Sequence, residues 1–142
     1  MTAKDKFHDA VRLALEKEQW VITADPLKFQ YGGVKFRIDL SADRLLAAER
    51  QNERIAIEIK SFLNDSPLTD FHAALGQFQN YRSALRKIDP ERTLYLAVPL
   101  GAYRSFFQFQ FVQEAIVEHQ LLLIVYDSDH EVRTYALTEW AT

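Results

Sequence analysis

The chain has 142 residues, a formal net charge of -3 at pH 7 and no cysteine. The length suits one domain with a full core, and a hydrophobic content of 48% excludes a disordered chain. Without cysteine there is no disulfide scaffold, thiol nucleophile or thiolate-held metal, and the acidic balance lowers the expectation of a nucleic-acid ligand without removing it, because a local basic strip can sit on an acidic body.

The opening Met1 to Lys6 is charged, so no signal peptide is expected, and no apolar run approaches the roughly 20 residues of a membrane span. A cytoplasmic single domain over residues 1–142 is expected. Phe7, Val11, Ala14 and Leu15 recur at helical spacing within Lys4 to Gln19. Trp20 to Thr23 is rich in strand formers, and Asp25-Pro26 ends it. A short extended piece from Phe29 to Tyr31 leads into a Gly32-Gly33 turn. Val34 to Ser41 alternates as one strand, with Val34, Phe36, Ile38 and Leu40 pointing one way. Arg44 to Glu49 reads as a strand, Arg50 to Glu53 as a hairpin tip, and Arg54 to Phe62 as the returning strand. Ile55, Ile57 and Ile59 share one face of it; Ala56, Glu58 and Lys60 share the other.

Asn64 to Thr69 is loop, and Asp70 to Ile88 is an amphipathic helix stopped by Asp89-Pro90. Thr93 to Leu100 and Leu121 to Tyr126 read as buried strands. Ala102 to His119 is predicted to be one helix and Glu131 to Leu137 a terminal strand. The order predicts an α/β fold with a mixed central sheet flanked by helices.

No phosphate-binding glycine loop, H-E-x-x-H or G-x-S-x-G is present. His8, His72, His119 and His130 lack metal-ligand spacing and read as surface or helix-face residues. The informative constellation is Asp39 with Glu58-Ile59-Lys60. Lys60 is the one lysine with an acid two residues before it, so the two side chains leave the strand on the same face. Two carboxylates and the Ile59 carbonyl offer hard oxygen ligands to Mg²⁺ or Mn²⁺, and the Lys60 ammonium could orient water or stabilise a transition state. The bland alternative is an amphipathic hairpin with a solvated charged face. Gln77 and Tyr81 lie one turn apart on the following helix, either lining that site or serving as rim and core residues.

Asp39, Glu58-x-Lys60 and Gln77-x-x-x-Tyr81, in this order of elements, resemble the PD-(D/E)XK restriction-endonuclease-like nucleases, although Ile38 stands where the motif has proline. A closer resemblance is to the XisH family, the fdxN-element excision controlling factors of cyanobacteria. It is carried by Phe7-His8 to Ala14-Leu15, Trp20 to Leu27, Ile38-Asp39-Leu40, Ala56 to Phe62, Ala74 to Tyr81 and Leu94 to Pro99. The resemblance implies a restriction-endonuclease-like fold and a part in programmed DNA excision during heterocyst differentiation, beside a site-specific recombinase and a small partner, XisI. It implies Asp39, Glu58 and Lys60 as catalytic residues, Gln77 and Tyr81 as accessory, and a further acid from the first helix, for which Asp9, Glu16 and Glu18 are available. DNA is the expected substrate. The competing reading is a catalytically silent protein that binds XisI or a recombinase; the acidic charge and the lack of a visible basic strip favour it. Tyr103, Phe106, Phe107, Phe109 and Phe111 form an apolar arc wider than one core contact needs; core packing is the plainer reading, and a self-association surface, giving a homodimer, is the sharper one.

Overall fold

The periodicity of Phe7, Val11, Ala14 and Leu15 is realised as helix α1, Ala3–Lys17, in a computed structural model that describes residues 3–46 and 51–127. Val11 and Leu15 are buried. The helix closes in a Schellman turn: Gln19 adopts φ 74°, its N–H donates to Glu16 O, and the Trp20 N–H donates to Leu15 O at 3.0 Å. The buried Trp20 is thereby delivered to the start of strand β1, Val21–Ala24.

Strands β2, Leu27–Tyr31, and β3, Val34–Ile38, form a hairpin that is a sheet of its own. Gly32 and Gly33 both have positive φ, as a two-residue turn matched to strand twist requires. The single alternating strand expected from Val34 to Ser41 does not exist. The chain bends at Asp39 and re-enters as β4, Leu40–Leu46, in a different sheet. Ile38 and Leu40 are both fully buried, yet they fill separate cores, because the backbone changes sheets between them.

Strand β5, Gln51–Ile59, runs antiparallel to β4, with Leu40 opposite Ile57. It begins inside the expected hairpin tip: Asn52 and Glu53 already pair with Leu45 and Arg44. The first residue of that tip and the end of the expected strand before it, 47 to 50, lie outside the described residues, as does the expected strand from Glu131 to Leu137. Helix α2, Pro67–Ile88, starts earlier than predicted, with the Ser66 hydroxyl accepting from Thr69 N–H and Pro67 in the first turn. Strands β6, Thr93–Pro99, and β7, Leu123–Tyr126, add in parallel, giving a five-stranded mixed sheet in the order β1-β4-β5-β6-β7.

The long helix expected over Ala102 to His119 is instead α3, Leu100–Arg104, a 3-10 turn at Phe106–Gln108, and α4, Gln110–Glu118. Side chains take the carbonyls that the break frees: Gln108 donates to Tyr103 O, Gln113 to Phe107 O and Ser105 to Gly101 O. The predicted aromatic stripes therefore part company. Tyr103 and Phe107 are buried, Phe106 is half-buried, and Phe109 and Phe111 are exposed. α1 covers one face of the sheet through Leu40, Ile55, Ile57 and Ala97; α2 and the α3–α4 segment cover the other through Ala56, Leu94, Leu96 and Val98. No helix among the described residues is long and apolar enough to cross a membrane.

α4 ends as α1 does: Gln120 sits at φ 51°, and the Leu121 N–H reaches Ile116 O at 2.9 Å. A side chain in the left-handed region carries a steric cost that glycine avoids. Gln120→Gly is expected to raise stability by about 0.5–1 kcal/mol, read as a higher urea midpoint at unchanged slope.

Candidate active site

The bend at Asp39 builds the site. One step beyond the Leu40–Ile57 pair, Asp39 comes to stand beside Glu58. Side chains replace the ladder there: Asp39 N–H donates to Glu58 Oε1 at 3.2 Å, and Ile59 N–H donates to Asp39 Oδ2 at 2.8 Å. Alternation along β5 sends Ala56, Glu58 and Lys60 to the face covered by α2. Ala56 is fully buried and Glu58 is only 6% exposed, so the solvated charged face of a simple amphipathic hairpin is excluded at Glu58.

Lys60 Nζ lies 3.6 Å from Glu58 Oε2. Its backbone is held on both sides, its N–H donating to Ala97 O at 2.9 Å and its carbonyl accepting from the Tyr126 hydroxyl at 3.0 Å. Gln77 and Tyr81 do face the same place. Gln77 Nε2 donates to the Tyr81 hydroxyl at 2.8 Å, and the Tyr81 ring packs edge-on against Phe36. Together with Phe7, His8 and Arg37 these groups line a cleft of about 370 Å³.

Asp9, Glu16 and Glu18 do not line this cleft; all three are exposed on or just past α1, and Glu16 pairs with Arg12. α1 instead contributes Phe7 and His8. His8, expected as an unremarkable surface residue, is half-buried in the cleft wall with Nε2 at 2.7 Å from Asp25 Oδ1, while Arg12 binds the other oxygen of Asp25. Among the described residues no group of three or more His, Asp or Glu side chains converges. The Asp39 and Glu58 carboxylates and Ile59 are among the groups that line the cleft.

Sequence reasoning missed Arg37 and Tyr126. Arg37 was within reach, because it precedes Asp39 by two in an alternating stretch. Tyr126 carries no local signal: it is the last residue of β7, fully buried, and packs on Phe7 with ring centroids 5.5 Å apart. Burial, and then the charge of Asp39, push its hydroxyl above the usual phenol range, so it remains a neutral donor to Lys60 O.

Burial foremost, then the neighbouring Asp39 charge, push the Glu58 carboxyl from its ordinary 4.5 up to about 8, with Lys60 pulling in the opposite direction. Two acids share a partly dry site with one adjacent ammonium. The chemistry of that donor set suits a divalent cation, which would supply the positive charge the pair lacks.

The sequence matches the family described as XisH protein over residues 1–134. An XisH family protein from Nostoc punctiforme PCC 73102 is 49% identical, with a TM-score of 0.84 over 93% of this chain and 98% of that one. A fdxN element excision controlling factor protein from Anabaena variabilis is also 49% identical, with a TM-score of 0.82 and the same coverage. No curated protein matches the sequence.

The raised Glu58 pKa fixes a sign for stability. Between about pH 4.5 and pH 8 the folded protein holds a proton that the unfolded chain has released, so stability falls as pH rises through that window. In chelator-containing buffer, Glu58→Gln is expected to flatten this fall and to be more stable than wild type at pH 8, by on the order of a few kcal/mol. Parallel urea titrations at pH 5 and pH 8 read it, and an unchanged pH slope in the variant overturns the assignment.

Proposed function

The chain belongs to the XisH family, and we propose that it is a metal-dependent nuclease-like protein of the PD-(D/E)XK kind, acting on DNA phosphodiesters in the excision of a DNA element. The single observation that carries this reading is the meeting of Asp39, Glu58 and Lys60 at the floor of one cleft, the two acids bonded into each other's strand and the ammonium 3.6 Å from Glu58. The topology supports a restriction-endonuclease-like fold: two antiparallel strand pairings followed by two parallel ones, with helices on both faces.

Asp39, Glu58 and the Ile59 carbonyl would hold Mg²⁺ or Mn²⁺. When bound, such an ion supplies Lewis-acid stabilisation of charge developing on phosphoryl oxygens. The chain's own groups do the rest. Lys60 presents an ammonium beside Glu58, suited to orienting water or to opposing negative charge in the transition state. Tyr126 and Ala97 hold the Lys60 backbone and so restrict where that ammonium can go. Gln77 and Tyr81, tied to each other, give a polar wall opposite.

A second reading is favoured by the exposure of Phe109 and Phe111 at 64% and 63%. Two neighbouring rings left in water are costly unless a surface covers them, as in an interaction protein that binds an XisI-like partner, a recombinase or a second copy of itself.

The test is incubation of wild type, Glu58→Ala and Lys60→Ala with duplex, branched and single-stranded DNA and with RNA, in Mg²⁺, Mn²⁺ or chelator. Wild type is expected to cleave only with divalent metal. Each variant should lose at least about 10²-fold in rate. Calorimetric Mn²⁺ binding should vanish in Glu58→Ala and persist in Lys60→Ala. Undiminished cleavage by Lys60→Ala removes Lys60 from the chemistry. Absence of cleavage on every substrate overturns the nuclease reading in favour of the interaction protein.

A further inference from the structure

The β2–β3 hairpin carries a charge pattern that the cleft alone does not explain. Between Pro26 and Asp39 there is no acidic residue. Lys28 stands directly opposite Arg37, and Gln30 opposite Lys35, so strand alternation puts Lys28, Gln30, Lys35 and Arg37 on one face. All four are exposed. Among the described residues none of the three cations has an ion-pair partner. Like charges set directly across a strand pair repel, and the rest of the chain is acidic enough to have supplied partners: the net charge is -3 even with these three cations counted.

The hairpin is braced so that this face is presented. Its other face stacks Phe29 on Phe36 at 5.1 Å and seats Phe36 on Tyr81 of α2, while the Lys87 ammonium lies 5.2 Å from the Tyr31 ring. An open groove of about 500 Å³ is lined by Lys28, Gln30, Lys35 and Arg37 together with Phe29 and Phe36. Arg37 also lines the cleft that holds Asp39, Glu58 and Lys60, so the two neighbour each other at this side chain.

We infer that the basic face of the β2–β3 hairpin, Lys28, Lys35 and Arg37, grips the phosphodiester backbone of a nucleic acid and leads it into the Asp39–Glu58 cleft. This deepens the nuclease reading and rests on it for the destination of the strand. A polyanion relieves the repulsion between Lys28 and Arg37, and Gln30 adds a neutral donor between the charges. The grip is directed at backbone and not at base edges, so it is indifferent to sequence. This is also why the basic strip escaped a linear reading: the three cations are spread over ten positions, and only the hairpin register aligns them.

Binding is measured in chelator, where no cleavage can occur, by fluorescence anisotropy of a labelled DNA duplex and of a labelled single-stranded RNA. Wild type should bind, and the affinity should fall steeply as salt rises. In Lys28→Gln/Lys35→Gln/Arg37→Gln the slope of log affinity against log salt should drop by about 2.7 for duplex DNA, three phosphate contacts at about 0.9 each. The double variant Lys28→Gln/Lys35→Gln, which leaves the cleft side chains intact, should lose about 1.8. Melting temperatures equal to or above wild type show that the hairpin stays folded. Unchanged slopes in both variants, or binding only to acidic proteins and to neither nucleic acid, overturn the proposal. The two readings separate cleanly: cleavage that is indifferent to the hairpin variants refutes the grip alone, and salt-sensitive binding without metal-dependent cleavage refutes the nuclease alone.

Discussion

The reciprocal bonding of Asp39 with the Glu58–Ile59 step is the constraint on which the rest depends. The Asp39 amide is satisfied by the Glu58 carboxyl, and the Ile59 amide by the Asp39 carboxylate. At this point the chain passes from the outer hairpin into the central sheet. A bend normally leaves backbone groups without partners, and a buried amide without one is costly. Here the Asp39 and Glu58 side chains themselves close the bend. The hairpin, its basic face and its groove hang from this joint. So does the orientation of β4, which carries Leu40 and Ala42 into the core beneath α1.

Glu58 is placed by strand alternation beside the apolar Ala56 and Leu96, and that placement makes its charge expensive. Two independent supports limit the damage: the Lys60 ammonium and the Asp39 amide. They do not restore an ordinary carboxylate, because burial outweighs them. A structural role alone would be served by a neutral amide, which would accept the same Asp39 hydrogen bond without carrying charge into the core. Arg37 and Lys60 line the same cleft as the two acids.

Much of the fold was legible because periodicity reports burial directly. The α1 stripe, the α2 stripe and the apolar runs of β6 and β7 are each set by local spacing, and each formed close to where spacing put it. Of the candidate site, Asp39, Glu58, Lys60, Gln77 and Tyr81 were all named from residue type and spacing, and all five line one cleft. The failures share a cause. Val34 to Ser41 alternates without a flaw, yet the chain changes sheets inside it; alternation records which side of a strand a residue takes and is silent on which sheet the strand joins. The segment from Ala102 to His119 reads as helix, yet Ser105, Gln108 and Gln113 cap its carbonyls from the side, a competition that helix propensity does not register.

By itself the sequence determined the order of elements, the faces of α1 and α2, and the identity of the acids and the lysine, since these follow from local spacing and side-chain chemistry. Tertiary structure alone decided three things. It buried Glu58 by laying α2 over a face that alternation marked as polar. It brought Tyr126, sixty-six residues away, to the carbonyl of Lys60. It aligned Lys28, Lys35 and Arg37 by the register of a hairpin whose turn is fixed by two glycines. The physical reason is common to all three: they depend on which elements meet, and that is set by the packing of two cores on opposite faces of one sheet, a property of the whole chain that no window of residues contains.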